Sequence, residues 1–177
     1  MLPLAVAIAL HECGHLIALR ALGGRICEIR PAPFGLCIEY DESTLSLRGE
    51  ALVSAAGCLM NTVSVIVSIL LYKFFRVDII DFGIVSAALA FLNLIPAKPL
   101  DGGRLLIVML EYFFGQRVAF TVSAAVTYIF GFAVFLFASY SLLTSQSGIY
   151  PLLFSVYLFS CNAKTLEKAV FEEKTSI

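Results

Sequence analysis

Five long apolar segments dominate this chain, and their length sets what it can fold into. They cover Met1–Leu22, Ala51–Tyr72, Ile79–Phe114, Val118–Leu143 and Ile149–Cys161. About 20 consecutive apolar residues are enough to cross a bilayer as a helix. Hydrophobic residues make up 60% of the 177 residues and charged residues only 14%, which is unlike a water-facing domain. We therefore predict an all-α polytopic membrane protein with about five transmembrane helices.

The length and the net charge of the chain indicate its domain organisation and limit the partners to expect. We expect a single integral-membrane domain over 1–177, with a core over 1–115, additional helices over 118–163 and a polar tail over 164–177. The net charge of −1 gives no general attraction to nucleic acid, so no nucleic-acid partner is expected. The five cysteines form no C-x-x-C pair, and they indicate neither a disulfide framework nor a cysteine zinc cluster.

Two segments depart from the helical pattern. Arg25–Ile29 and Cys37–Tyr40 mix β-branched and polar residues, which predicts a short β-hairpin at the membrane surface after the first helix. Prolines, glycines and charges interrupt the third apolar segment between Asn93 and Arg104. Broken backbone at membrane depth is tolerated only beside protein or a water-filled cavity. This segment therefore predicts a broken helix beside an internal site.

The first apolar segment contains the sequence H-E-C-G-H, residues 11–15, which includes both histidines of the chain. Residues i and i+4 share one helix face, so His11 and His15 can bind one zinc ion. Glu12 projects about 100° away around the helix, where its carboxylate can accept a proton from the attacking water. The alternative is that these polar side chains only pack two helices together.

A catalytic zinc site usually has three protein ligands, so a third ligand is expected elsewhere in the chain. The candidates among the acidic residues in or beside the apolar segments are Asp78, Asp81, Asp101 and Glu111. Asp101 is the preferred candidate because the broken segment lets its side chain turn inward. Asp-Gly is also a common turn pair, so an ordinary turn aspartate remains the alternative at this position.

Together, these motifs resemble the site-2 proteases, the M50 family of intramembrane metalloproteases. The resemblance rests on H-E-C-G-H and on N-L-I-P-A-K-P-L-D-G-G, residues 93–103, and it covers roughly Met1 to Gly115. It implies a zinc metalloendopeptidase that cuts membrane-bound substrates by regulated intramembrane proteolysis. It implies that His11, His15 and Asp101 bind one Zn²⁺ ion and that Glu12 is the catalytic base.

The resemblance also implies roles for two asparagines near the substrate. Asn93 and its loop would lie beside the scissile bond, where the side-chain amide could help to hold the oxyanion. Asn61 falls in A-G-C-L-M-N, which is similar to the family's A-G-P-x-x-N with Cys58 in place of the proline. Close helix packing through the small residues 55–57 accounts for that stretch equally well.

The compact layout resembles the subgroup called stage IV sporulation protein FB, which suggests sporulation as one setting. That subgroup has a span ahead of the H-E-x-x-H helix, whereas ten residues precede His11 here. We expect either a short form of the family or a true start further upstream.

The distribution of basic residues predicts an orientation in the membrane. Placing Arg20 to Glu50 on the cytoplasmic side leaves only Lys73 and Arg76 on the opposite side, which satisfies the positive-inside rule. The histidines then lie on the order of 10 Å inside the cytoplasmic boundary of a prokaryotic cell membrane. A membrane-spanning or membrane-associated protein would be the substrate, and the strands at Cys27–Tyr40 offer an edge for it to join. Lipid, regulatory membrane proteins and a second copy of the chain are further partners to expect.

Two other functions are compatible with this pattern. A membrane metal-ion transporter also groups His, Glu and Asp around a broken helix. A non-catalytic membrane scaffold would use the apolar segments alone. Glu12 favours the enzyme, because transport needs no group that activates water.

Overall fold

The computed structural model describes residues 2–32, 35–41, 44–145 and 148–175, and most of them are helical. The elements in these ranges are α1 (Leu2–Ala21), β1 (Ile26–Ala32), β2 (Gly35–Tyr40), α2 (Leu47–Phe75), α3 (Ile80–Asn93), α4 (Asp101–Phe114), α5 (Gln116–Ser145) and α6 (Ile149–Thr175). The chain forms two compact units, Met1–Ile95 and Pro96–Ile177. The first unit contains α1 to α3 and the strands, and the second contains α4 to α6.

Three helices within the described ranges are long and apolar enough to cross a membrane: α1, α2 and the Gln116–Thr144 part of α5. Two shorter apolar helices, Ile80–Asn93 and Ile149–Ala163, account for the other predicted spans. The helical class predicted from the sequence is therefore confirmed, while the number of five spans stays a prediction. The predicted break in the third apolar segment lies between the end of α3 at Asn93 and the start of α4 at Asp101.

The packing of the first unit depends on small residues. Helix α1 contacts α2 and α3, and α2 contacts α3. The buried face of α2 repeats every three or four residues and consists mostly of small or polar side chains: Gly49, Val53, Ser54, Gly57, Cys58, Asn61, Ser64 and Ser68. A Cβ atom added to Gly14 of α1 would lie 2.6 Å from the carbonyl oxygen of Ala56 in α2. The two backbones therefore touch at this point, as small residues allow in membrane helix pairs.

Large apolar side chains lie on the outside of the protein. Phe91, Phe113 and Ile129 are each at least 70% exposed, whereas alanine is the commonest of the buried apolar residues in the described ranges. Proteins that fold in water place their large aliphatic and aromatic side chains inside. The reversed distribution fits helices whose outer faces contact lipid.

The strands form an antiparallel pair in which Ile29 lies opposite Ile38 and Pro31 lies opposite Leu36. Pro31 was expected between the strands but falls inside β1. A two-stranded sheet tolerates proline because each strand has an edge that needs no ladder hydrogen bond. Tyr40 at the end of β2 packs against Leu19 of α1 and Val53 of α2. This contact fixes the base of the hairpin to the helix pair, while its location at the membrane surface stays a prediction.

The second unit has a buried polar interior. Helix α4 packs on α5, and α5 packs on α6. The buried polar side chains of α5 and α6 are Ser123, Thr127, Ser155 and Asn162. The Asn162 amide nitrogen donates to the carbonyl oxygen of Ala124 at 3.0 Å, which links α6 to α5. Helix α6 continues to Thr175, so the described part of the predicted polar tail is helical.

Candidate metal centre

Helix α1 brings its two histidines together one turn apart. The Nε2 atoms of His11 and His15 lie 3.2 Å from each other, and the two rings meet edge to face with their centroids 4.8 Å apart. His11 is only 5% exposed. Two imidazole nitrogens thus converge on one point beside the helix, as the i, i+4 spacing predicts.

The separation of these nitrogens fits a zinc ion. Zinc binds imidazole nitrogen at about 2.0–2.1 Å, and its structural and catalytic sites are built on tetrahedral geometry. Two ligands in that geometry lie about 3.3 Å apart. The distance of 3.2 Å between the two Nε2 atoms is close to this separation.

The backbone of α2 orients the second histidine. The Nδ1 atom of His15 lies 2.8 Å from the carbonyl oxygen of Val53. A carbonyl oxygen can only accept, so Nδ1 carries the proton and the lone pair of a neutral ring lies on Nε2. Metal-binding histidines typically donate their other ring N–H to a carbonyl or a carboxylate. Val53 thus holds His15 in the form that a metal requires.

The first histidine meets a side chain of α2. The Nδ1 atom of His11 lies 3.2 Å from the amide nitrogen of Asn61, which is fully buried. Within the described part of the chain, the Asn61 amide oxygen has no hydrogen-bond partner although it too is buried. The sequence suggested a role near the substrate for Asn61. The structure brings its side chain to His11, and the role near the substrate stays a prediction.

Gly57 gives the two imidazoles their space. A Cβ atom at this position would lie 2.7 Å from the Cε1 atoms of both His11 and His15. Such a distance is shorter than van der Waals contact, so only glycine lets α2 pass the rings this closely. In addition to close helix packing, the small residue at this position therefore leaves room for the two histidine rings.

The other residues of the H-E-C-G-H sequence occupy different faces of α1. Glu12 is half-buried and follows His11 directly, whereas Cys13 is exposed. A half-buried carboxylate next to the histidine pair can exchange protons with water that reaches the metal. An exposed thiol on another face of the helix gives no support for cysteine ligation.

Asp101 belongs to the second unit, where it is the first residue of α4 and is half-buried. The positive end of a helix dipole stabilises a negative side chain in the first turn. Its predicted role as the third metal ligand stays a prediction.

Thr127 of α5 supports the loop before Asp101, a role that no feature of the sequence predicts beyond a polar residue in an apolar segment. The Lys98 N–H donates to the Thr127 hydroxyl oxygen at 3.0 Å, and Thr127 in turn donates to the Ser123 carbonyl oxygen at 2.8 Å. A Cβ atom at Gly103 would lie 2.7 Å from the Ala97 carbonyl oxygen, so the loop lies directly on the first turn of α4.

Asn93 is the last residue of α3 and is half-buried. Its amide nitrogen donates to the Leu89 carbonyl oxygen one turn earlier in the same helix, at 3.1 Å. The amide retains a second N–H that this bond does not use. The predicted oxyanion role of Asn93 therefore stays a prediction.

Comparisons with known proteins agree on one family. The family model for peptidase family M50 matches residues 79–138. A curated zinc metalloprotease of Methanocaldococcus jannaschii is 30% identical over 127 residues, which cover 68% of this chain and 37% of that protein. A solved site-2 protease from the same organism superposes with a TM-score of 0.72 at 26% identity, over 93% of this chain and 76% of that structure.

The chain belongs to the site-2 protease family, peptidase family M50. With three helices that can cross a bilayer, it is an integral membrane protein. The match to the curated relative spans only 37% of that protein's length, so the activity of the relative does not transfer to this chain by similarity alone.

Proposed function

We propose that this protein is an intramembrane zinc metalloprotease that hydrolyses peptide bonds in or near transmembrane segments of membrane-bound substrates. The observation that carries the proposal is the pair of Nε2 atoms on His11 and His15, 3.2 Å apart beside the half-buried Glu12. Two nitrogen ligands with an adjacent carboxylate are the parts that a zinc peptidase needs from one helix.

Asp101 is proposed as the third ligand of this centre. A carboxylate is a common zinc ligand, and Asp101 is half-buried at the first residue of α4. Zinc, when bound, polarises the scissile carbonyl and makes water acidic enough to react at neutral pH.

Glu12 would act as the general base and later as the general acid. Its carboxylate takes a proton from the attacking water and then passes that proton to the leaving amine. Asn93 would help to hold the oxyanion through the N–H that does not bond to Leu89.

The substrate would be a membrane-spanning or membrane-associated protein that unwinds locally before it is cut. A helix pairs its own N–H and C=O groups, so its peptide bonds are not accessible until it opens. The hairpin offers an extended partner, because each strand of a two-stranded sheet has an edge that the other strand does not pair. The distribution of basic residues supports a position of the centre near the cytoplasmic face.

A cleavage assay with Glu12→Gln tests this function. Wild-type protein and the variant are reconstituted in lipid vesicles with single-span substrate proteins, and bound zinc is measured on the same samples. We expect the variant to keep its zinc and to cleave about 10²–10⁴-fold more slowly, the range for loss of a general base.

Other outcomes of this assay separate the competing functions. Cleavage by Glu12→Gln at the wild-type rate would contradict the proposed mechanism. Zinc binding with transport of zinc across the vesicle membrane and no cleavage of any substrate would instead support a metal-ion transporter. Absence of both activities with stable binding of a membrane protein would support a scaffold.

A further inference from the structure

The fully buried side chain of Asn61 has a more specific role than packing. We propose that Asn61 is a positioning residue that prepares His11 to bind the metal, with its amide oxygen accepting a hydrogen bond from the Nδ1–H group of His11. The proposal rests on zinc binding by the histidine pair. It goes beyond the proposed function because it gives Asn61 of the A-G-C-L-M-N stretch a defined role behind a metal ligand.

The argument begins with the two orientations open to the Asn61 amide. A rotation of 180° exchanges its nitrogen and oxygen without changing the shape of the side chain. With the nitrogen facing His11 at 3.2 Å, the amide can only donate to an unprotonated Nδ1 atom. A neutral His11 then carries its proton on Nε2, the atom that a metal needs.

That orientation has a second cost. It leaves the buried amide oxygen of Asn61 without a hydrogen-bond partner among the described residues. An unsatisfied buried acceptor typically costs about 1–3 kcal/mol. Rotation of the amide satisfies that acceptor, because the oxygen then faces Nδ1 and accepts the ring proton, while the NH2 group takes the other position.

The rotated amide also matches the second histidine. His15 already donates from Nδ1 to the carbonyl oxygen of Val53 at 2.8 Å, which leaves its Nε2 lone pair available. With Asn61 accepting from His11 in the same way, both rings present Nε2 lone pairs to one point. Helix α2 thus supplies both acceptors, a backbone carbonyl for one ring and a side-chain amide for the other.

Variants at Asn61 test this role through zinc affinity, measured by competition with a chelator on the purified full chain. Asn61→Leu keeps a similar volume but offers no acceptor, and we expect zinc affinity to fall about 10–100-fold, as for other partners behind a metal ligand. Asn61→Asp offers only acceptors, and we expect it to bind zinc as well as the wild type does.

The matched control is Ser64→Ala. Ser64 is also buried on α2, and its hydroxyl donates to the Met60 carbonyl oxygen of its own helix at 3.0 Å. The control should bind zinc as the wild type does. His11→Ala gives the largest loss of zinc affinity to expect, because removal of a ligand should abolish tight zinc binding.

Two results would overturn the proposal for Asn61. One is wild-type zinc affinity in Asn61→Leu while His11→Ala loses zinc, and this result would leave the proposed function intact. The other is a strong loss of zinc affinity in Asn61→Asp, which would mean that the amide acts as a donor. The Asn61→Asp result decides the question even if Asn61→Leu does not fold. Wild-type affinity in His11→Ala would instead contradict the metal centre itself.

Nitrogen NMR of the histidine rings reports which ring nitrogen carries the proton, and a role of Asn61 in packing alone would not affect this. In zinc-free wild-type protein we expect the neutral His11 ring to carry its proton on Nδ1, and we expect Asn61→Leu to lose this preference; a wild-type ring with its proton on Nε2 would contradict the proposal.

Discussion

The Nδ1 atom of His15 lies 2.8 Å from the backbone carbonyl oxygen of Val53, thirty-eight residues later in the chain. The acceptor belongs to the backbone of α2, so no side-chain substitution at Val53 removes it directly. The orientation of His15 is therefore set by the packing of α1 against α2. The candidate metal centre and the helix pair that carries it are one structural feature, and a change in the packing should alter metal binding.

Gly57→Ala tests this coupling. The added methyl group would lie 2.7 Å from the Cε1 atoms of His11 and His15, so the rings or the helices must move. Overpacking of this kind typically costs about 1–3 kcal/mol, which corresponds to about a 5- to 150-fold loss of zinc affinity if the histidines yield. Chelator competition measures the loss.

Gly49→Ala is the control for that variant, because a Cβ atom at Gly49 of the same helix meets its nearest neighbour at an ordinary 3.4 Å. Alanine is also a better helix former than glycine, so neither variant should lose helix stability from propensity. Equal zinc affinity in both variants would contradict the coupling.

Asp101→Asn tests the third ligand. An amide is neutral and a weaker zinc ligand than a carboxylate, so zinc affinity should fall by at least about tenfold. That is the smallest loss typical of changes to residues that support a metal ligand without binding the metal. Asp78→Asn and Asp81→Asn are the controls, since both positions were candidates on sequence grounds. Zinc content after dialysis distinguishes them, and wild-type content in Asp101→Asn would remove this residue from the ligand set.

Much of the candidate centre could be predicted from the sequence because its spacing is local. His11 and His15 share a face of α1 through helix geometry alone, and the Nε2 distance of 3.2 Å follows from that spacing. The break before Asp101 was likewise visible in prolines and glycines that a continuous helix does not tolerate.

The supporting residues could not be predicted in this way. Val53 contributes a backbone oxygen, which every residue has, so no sequence signal marks it. The resemblance marked Asn61 but not its contact with His11, and Thr127 looks like an isolated polar residue in an apolar segment. Only tertiary packing shows which groups the two side chains meet. The length of β1 was misjudged for a similar reason, because Pro31 is acceptable at the edge of a pair but argues against a strand when seen alone.

Thr127→Val should weaken the loop that precedes α4. The variant keeps the shape of the side chain but removes the oxygen that accepts from the Lys98 N–H at 3.0 Å. We expect the free energy of unfolding to fall by about 1 kcal/mol, the usual net contribution of one hydrogen bond. Thermal unfolding in detergent measures the change. Thr127→Ser keeps the hydroxyl and should restore most of the loss, and equal stability of the two variants would contradict this role.

Ile38→Pro tests whether a substrate joins the hairpin. Proline removes a backbone donor from β2, so cleavage should slow while bound zinc is unchanged. Ile38 packs against the cluster of Leu19, Tyr40 and Val53, so Ile38→Ala is the control that loses the packing and keeps the N–H. Unchanged cleavage in Ile38→Pro, or an equal loss in both variants, would count against strand addition.

X-ray absorption at the zinc edge tests the central claim most directly, because it reports the atoms around the metal in the purified wild-type chain. We predict two imidazole nitrogens at about 2.0–2.1 Å, with the remaining ligands all oxygen. Cys13→Ala should give the same spectrum, since Cys13 is exposed. A sulfur ligand at about 2.3 Å, or a zinc ion with fewer than two imidazoles, would contradict a metal centre built on His11 and His15.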